Sequence, residues 1–490
     1  MIRKPSWTLI LLLAMIVASV SAQNSQVLYN MNLPQNHLMN PALKPSNSLY
    51  IGLPVISGIS LNIDNNIVNF SDVFMKGVKG DSVTSILHRG FNIDNFLAKI
   101  KDISTIEPQM TVQLFGFGYS IGRNGYVFLD INDRVEGNII LPEDLFSLVL
   151  KGNKQFIGGK INLSALRGDL KYYREIGLGF SKNITKKFRI GIKGKLLYGI
   201  AALSIDNRLF EISSTNDYLQ KLNADITVNV SGPVKFNINS DHTLRSVVID
   251  KNRFKESGGL TDFLSGKNNR GLGIDFGATY DITRKLMVSA ALTDIGFIKW
   301  EKDVTNLSVK SRFEFGGLNV VDVINGTETF EELGQEMVDS LNRAFSFATT
   351  KVHFTDNLQY GLSFGGTYSF TKNISLGLLS YRRYLNKQLH KSLTFSANVN
   401  LSNKFSSSLS YTVASNKYNN LGAGIAFRTG IFQFYLLSDR IPVMWDKIKI
   451  DPDNSFILPS RWNTINLRLG INLVFGDSER KVDKPMLMVE

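Results

Sequence analysis

Along most of the chain apolar and polar side chains alternate with a period of two. Leu467, Leu469, Ile471, Leu473 and Phe475 are apolar, while Arg468, Gly470 and Asn472 between them are small or polar. Leu272, Ile274, Phe276, Ala278, Tyr280 and Ile282 repeat the pattern against Gly273, Asp275, Gly277, Thr279 and Asp281. Tyr360 to Phe370 and Leu393 to Leu401 do the same. Each run predicts a β-strand with one face for hydrocarbon and one that tolerates water. The strands come in pairs joined by similar turns: Phe180 to Phe188, Tyr280 to Leu286, Tyr368 to Ile374 and Val399 to Phe405. Each carries an apolar anchor, a Ser or Thr, two or three of Asn, Lys and Arg, and the next apolar residue. That is hairpin punctuation, and its irregular spacing excludes a solenoid or propeller.

The stretches between pairs differ. Residues 200–270 and 301–357 are long and polar, and Ile441 to Arg461 carries Pro442, Pro452 and Pro459. Short turns at one end and long connections at the other are the asymmetry of an outer-membrane barrel. Pairing by short turns predicts strands near 110 and 126, 172 and 188, 272 and 286, 359 and 374, 391 and 405, and 420 and 431. An opening strand at 48–63 and a closing one at 462–475 make the total 14. The expected fold is therefore an all-β, 14-stranded antiparallel transmembrane outer-membrane β-barrel with short helical loop inserts. A large exported β-sandwich also alternates, but its outer faces would be rich in Lys and Glu, whereas these polar faces are Gly, Ser, Thr and Asn. Tyr280, Trp300, Tyr368, Phe370, Phe405 and Phe475, near strand ends, are expected in aromatic girdles. Helical inserts are expected at Asn92 to Lys101, at Glu143 to Leu150, and from Thr329 to Phe345, where Thr329 and Glu332 have capping-box spacing.

Arg3 and Lys4, the apolar run Thr8 to Val20 and the small residues Val20-Ser21-Ala22 read as a secretory signal peptide over 1–22. The expected organisation is then an N-terminal segment at 23–47, a barrel at 48–476 and a periplasmic tail at 477–490. The destination is the cell outer membrane of a diderm bacterium, which leaves no role for nucleic acid. Cysteine is absent, which removes disulfides, thiol nucleophiles and iron-sulfur clusters. The charge of +13 falls to +11 when Arg3 and Lys4 leave with the signal, and fits contact with lipopolysaccharide phosphates or charged loops.

Little points to catalysis. His37, His88, His242, His353 and His390 have no metal-ligand spacing, so no metal or cofactor is expected. Gly361 to Gly365 matches G-x-S-x-G, but Ser363 falls mid-strand where a nucleophile elbow needs a strand-to-helix turn. An outer-membrane lipid hydrolase is thus the third reading. Gly116, Gly118 and Gly122 lack phosphate-loop spacing and fit small inward-facing residues. Arg189, Lys193 and Lys195 share one strand face, Asp275 and Asp281 another, and Arg428 and Arg468 lie on two more; all are expected to line the lumen, as a permeation path or as a salt-bridged closure.

Leu38-Met-Asn-Pro-Ala-Leu43 resembles a group of barrels with an Asn-Pro-Ala motif at this place. In FadL-type fatty-acid channels that motif belongs to a small N-terminal hatch inside a 14-stranded barrel, so the resemblance implies a hatch at Asn40, Pro41 and Ala42. The PorV-like and PorP/SprF-like barrels of type IX secretion and gliding systems are similar at this start. Pro142 to Asn153, Thr293 to Trp300 and Gly430 to Asp439 resemble recurring segments of a family described only as a domain of unknown function, similar to outer-membrane barrels and implying no enzyme. Two functions follow as expectations: a channel or transporter for small ligands, apolar ones included, or a non-transporting scaffold that docks a secretion or gliding component.

Overall fold

Three of the short turns are closed by the same device. Thr185 Oγ1 accepts from Phe188 N, Thr283 Oγ1 from Leu286 N, and Thr371 Oγ1 from Ile374 N, each at 3.0 Å. The threonine hydroxyl takes the first amide of the returning strand, which explains why the turn sequences resemble one another. In this computed structural model the described residues are 27–67, 69, 74–76, 83–85, 91–122, 124–151, 156–215, 220–255, 258–315, 344–385, 388–401, 404–414, 417–449, 455–459 and 463–476. The expected signal peptide, the C-terminal tail and nearly all of the expected helix at 329–345 lie outside them.

The strands of the wall are β1 (Leu49–Gly52, resuming at Ile59–Asn65), β2 (Ile103–Ile121), β3 (Gly125–Pro142), β4 (Arg167–Asn183), β5 (Phe188–Ser214), β6 (Arg270–Asp281) and β7 (Leu286–Trp300). They continue with β8 (Phe354–Asn357, resuming at Gly361–Ser369), β9 (Ile374–Leu385), β10 (Gln388–Leu401), β11 (Phe405–Ala414), β12 (Lys417–Thr429), β13 (Phe432–Ile441) and β14 (Thr464–Phe475). Every neighbour pairs antiparallel, and both halves of β1 pair with β2 on one side and β14 on the other. The result is a closed 14-stranded barrel. No sheet edge is left open along the wall, which is what lipid demands.

The outer wall exposes Leu178, Ile192, Leu272, Phe364, Phe395, Leu409 and Ile425. Near the short turns this band is bounded by Tyr280, Tyr368, Phe370, Phe405 and Phe432. A water-soluble surface does not present so continuous an apolar face. Trp300 departs from expectation: it is fully buried inside, stacked on Phe354 and donating from Nε1 to Asp356 Oδ2 at 3.0 Å. The reason is a bulge in β7. Ile274 pairs with Ile295 but Phe276 with Leu292, so one extra residue reverses the inside-outside parity beyond it. Trp300→Phe should cost about 1–3 kcal/mol by leaving half-buried Asp356 without the Trp300 donor, read as a lower urea midpoint for the folded barrel.

The wall is uneven in height. A strand of about 10 residues spans a bilayer, yet β5 has 27 residues and β11 and β13 have 10 each. The far part of β5 pairs with Gln220–Ser231, that strand with Val304–Phe315, and that one with Ser346–Thr350, making a sheet beyond the barrel rim. The two long polar stretches therefore contain strands as well as loop. A hairpin of Val234–Ile238 and Leu244–Ile249 stands beside this sheet. Helix α1 (Ile93–Leu97), with Asn92 accepting from Asn95 N at 2.9 Å as its cap, packs near α2 (Glu143–Lys151) through Phe91, Phe96, Leu97, Phe146 and Leu150.

Candidate functional site: the lumen and its N-terminal filling

Residues 27–47 fold inside the barrel at the short-turn end as two 3-10 turns, Val27–Asn30 and Pro34–Leu38. Pro34 opens the second turn, where its missing N–H costs nothing. Val27, Leu28, Tyr29, Met31, Leu33, Met39 and Leu43 make an apolar core with Leu379, Ala426, Tyr435 and Leu437 of the wall. Polar side chains fix the remaining sides. Gln35 Nε2 donates to Asn472 Oδ1 at 2.7 Å, and Tyr29 Oη lies 2.5 Å from Ser289 Oγ.

The Asn-Pro-Ala residues lie in this segment, with Asn40 and Ala42 almost fully buried. Asn40 Nδ2 donates to the carbonyls of Ala278 on β6 and Ala290 on β7, at 3.3 and 3.2 Å, while its Oδ1 accepts from Ala42 N at 2.8 Å. An amide suits this place because it donates twice and accepts at once. Pro41 lies against Gly191, and a Cβ at Gly191 or Gly277 would collide with Pro41 or Asn40. Glycine on the inner wall is the space into which the segment fits.

His37, fully buried, sits between Pro34 O (Nδ1, 2.6 Å) and Asp130 Oδ2 of β3 (Nε2, 2.7 Å). Whichever partner holds the second proton, this contact ties the segment to the wall through charge or a strong hydrogen bond.

Above it lies a layer of ion pairs. Lys193 reaches Asp130 at 3.3 Å and Glu175 at 2.8 Å; Lys195 reaches Asp275 at 2.7 Å and Asp294 at 2.5 Å. Arg134 contacts Glu136 (2.6 Å), Glu175 (2.7 Å) and Asp294 (2.9 Å) and lies over the Tyr173 ring. Asp294 belongs to the β7 bulge with φ 59°, and its N–H donates to Asp275 Oδ1 at 2.6 Å. A cavity of about 110 Å³ remains, lined by Asn62, Gln109, Arg134, Lys195, Tyr381 and Arg468 among others. On the β4–β8 side the lumen above is filled by Tyr173, Leu197, Ile298, Trp300 and Leu358.

Of the residues expected along the lumen, Lys193, Lys195 and Asp275 meet in the ion layer, and Arg468 faces the cavity with its Nε buried and without a hydrogen-bond partner. The other three are apart from it, near the short turns. Arg189 donates to Ser181 Oγ at 2.9 Å, and Arg428 to the Gly430 and Val474 carbonyls at 3.0 and 3.2 Å. Asp281 ends β6, its N–H on Lys187 O at 2.8 Å. Burial, and after it the Arg189 guanidinium, lowers the pKa of Lys44 near Arg189. The sequence reading missed Asp130, Arg134, Glu136 and Glu175, although all face inward on alternating positions. It also missed His37 and Asp294, for which no periodic signal exists.

Ser363 is mid-strand in β8, opposite Ala291 and Tyr381, so no nucleophile elbow forms there. Among the described residues no group of three or more His, Asp or Glu is placed to hold a metal ion.

A family model described as "Family of unknown function (DUF5723)" matches residues 41–439. No curated protein matches the chain. Similar solved structures include the toluene transporter TbuX of Ralstonia pickettii, at 11% identity and TM-score 0.40, over 91% of this chain and 95% of that one. A FadL homologue of Pseudomonas aeruginosa has 10% identity and TM-score 0.40 over 94% and 100%. The toluene transporter TodX of Pseudomonas putida has 9% and 0.38 over 94% and 98%.

Proposed function

The chain belongs to this DUF5723 family of unknown function, and from that premise we propose that it is an outer-membrane barrel working as a gated passage for small solutes, with residues 27–47 as the gate. The observation that carries this reading is how the gate is held. Among the described residues, no backbone-to-backbone hydrogen bond joins 27–47 to the wall; every bond across that boundary uses at least one side chain. The segment can therefore leave without unpairing a strand. The cavity above it is lined by charged and amide groups, so solutes with polar groups fit it better than the apolar ligands expected from the resemblance.

The His37 to Asp130 contact is the tie whose loss should matter most to gating. Asp130→Asn keeps the shape and removes the charge, so it should raise the conductance of planar bilayers and the rate of liposome swelling by polar solutes about tenfold. Because the chain has no cysteine, Ala42→Cys provides a clean reporter. Its thiol should be shielded from a bulky maleimide in the parent and labelled quickly once Asp130→Asn is added. Equal conductance and equal labelling in both backgrounds would reject the gate.

A second reading, the docking scaffold, is favoured by the sheet beyond the rim. A groove of about 510 Å³ there is lined by Lys235, Asp250, Glu301, Asp303, Lys351 and His353. A stoichiometric partner recovered after cross-linking, together with no conductance from Asp130→Asn, would favour the scaffold over the gate.

A further inference from the structure

Arg468 stands on β14 with its side chain toward the lumen, opposite Leu437 of β13 on one side and Ser60 of β1 on the other. Among the described residues it makes no hydrogen bond and no ion pair; its Nε is enclosed by protein, and the guanidinium lies on the cavity wall. The inner-wall positions around it are Tyr435, Asn466, Gly470, Asn62 and Thr111, none of them acidic. Asp439, the next inward residue after Leu437 on β13, acts on Arg468 from outside ion-pair reach, and its Oδ1 accepts from Val27 N at 2.7 Å. A cation held out of water without a close counter-charge is costly to a fold. The stability of the barrel therefore gives no reason for an arginine here.

The other groups on this side of the cavity are donors as well. Ser60 Oγ, Asn62 Nδ2, Thr111 Oγ1 and Tyr381 Oη line the same space, and none of them donates a hydrogen bond to a described residue. Asn62 accepts from Asn466 through Oδ1 at 3.1 Å, which leaves its amide nitrogen to donate. A guanidinium among hydroxyls and an amide suits oxygen atoms that carry negative charge. Size and charge narrow the choice. A space of about 110 Å³, against about 30 Å³ for one water in the liquid, holds a group of about four non-hydrogen atoms. Across the cavity Arg134, Lys193 and Lys195 each already serve at least two carboxylates. Those carboxylates repel an anion, and a doubly charged one about twice as strongly.

We propose that this cavity binds a small monocarboxylate through the Arg468 guanidinium, with the Ser60, Thr111 and Tyr381 hydroxyls and the Asn62 amide as further donors. The planar fork of arginine matches the two carboxylate oxygens. As a statement of what the barrel passes, this rests on the gated-passage reading; as a binding site it stands apart from it.

Urea unfolding of the purified barrel in detergent, followed by the heat-modifiable band, reads binding by mass action whether or not the gate opens. The probes are sodium acetate, acetamide as its neutral counterpart of similar shape, and sodium phosphate, all at one ionic strength set with sodium chloride. Acetate should raise the midpoint of the parent. The affinity read from that shift should fall at least tenfold in Arg468→Gln, since hydrogen bonds to a charged group are lost. Without acetate, Arg468→Gln should unfold at the parent's midpoint or above it, because no structural partner is lost. Arg174→Gln, on the outer wall beside Asp133, should keep the parent's response to acetate. An equal acetate shift in the parent and Arg468→Gln overturns the site, as does a lower midpoint for that variant without acetate, an equal effect of acetamide or a larger effect of phosphate. Conductance of Asp130→Asn reads passage separately. A barrel that acetate stabilises through Arg468 but that never conducts keeps the site and loses the gate, and one that conducts with no acetate shift keeps the gate and loses the site.

Discussion

Lys195→Met should destabilise the folded barrel by about 3–5 kcal/mol, because removing one partner leaves buried carboxylates without their counter-charge. Lys195 is almost fully buried and serves Asp275 at 2.7 Å and Asp294 at 2.5 Å, with Glu175 at 3.8 Å. Asp294 keeps Arg134 when the lysine is gone, but among the described residues Asp275 then keeps the Asp294 amide alone as a close partner. The urea midpoint for loss of the heat-modifiable folded band in detergent measures the effect. Adding Asp275→Asn should restore a good part of the loss, since the charge left stranded is then removed as well. A shift under about 1 kcal/mol for Lys195→Met would mean that water reaches this layer freely and that the ion pairs do not hold the lumen together.

Gly277→Leu should expel the N-terminal segment from a barrel that otherwise folds. A Cβ at this position collides with Asn40 Oδ1 and comes within 2.9 Å of Pro41 Cδ and 3.0 Å of Ala42 N. The remaining leucine atoms would need the volume that Asn40 occupies, and with it the two bonds to Ala278 and Ala290. The wall has no such conflict, because Gly277 is an ordinary strand position paired with Gly191 and Ala291. Loss of two buried hydrogen bonds and of part of the apolar seat is worth about 3 kcal/mol or more, enough to populate the open form. Conductance should rise at least as far as in Asp130→Asn, and a protease should cut within 27–47. Gly194→Leu, at an outward position with open space around it, is the control and should leave conductance unchanged. A folded Gly277→Leu barrel that stays closed would mean that the segment can reseat elsewhere in the lumen.

The separation of these two sites by chemistry follows from the barrel wall itself. Small residues on β5, β6 and β8 admit the N-terminal segment, and charged residues one or two inward positions farther along β5 and β6 narrow the space above it. A strand face that alternates Gly191, Lys193 and Lys195 serves both tasks in three consecutive inward positions.

The order of strands and the place of each short turn were legible in the amino-acid pattern, because period-two alternation and the small, polar turn residues, a threonine in three of the turns, are local properties. Tyr280, Tyr368, Phe370 and Phe405 were legible for the same reason. Lys193, Lys195 and Asp275 could be assigned to a polar face, and the same reading applied to β3 would have reached Asp130, Arg134 and Glu136. What alternation cannot carry is a change of parity. The extra residue in β7 turns Trp300 inward and aims Asp294 at Lys195 and Arg134, and nothing in Thr293-Asp294-Ile295 announces it. Nor can alternation say which charge meets which across the lumen, since Arg134 and Asp294 are 160 positions apart in sequence. The segment at 27–47 has no period at all. Its place inside the barrel is set by the fit of Asn40 and Pro41 against glycines on three-dimensional neighbours, and by an apolar core whose other half belongs to β9, β12 and β13. Local chemistry was therefore enough to specify a closed wall, while the closure of its lumen depends on distances that arise only when fourteen strands have met.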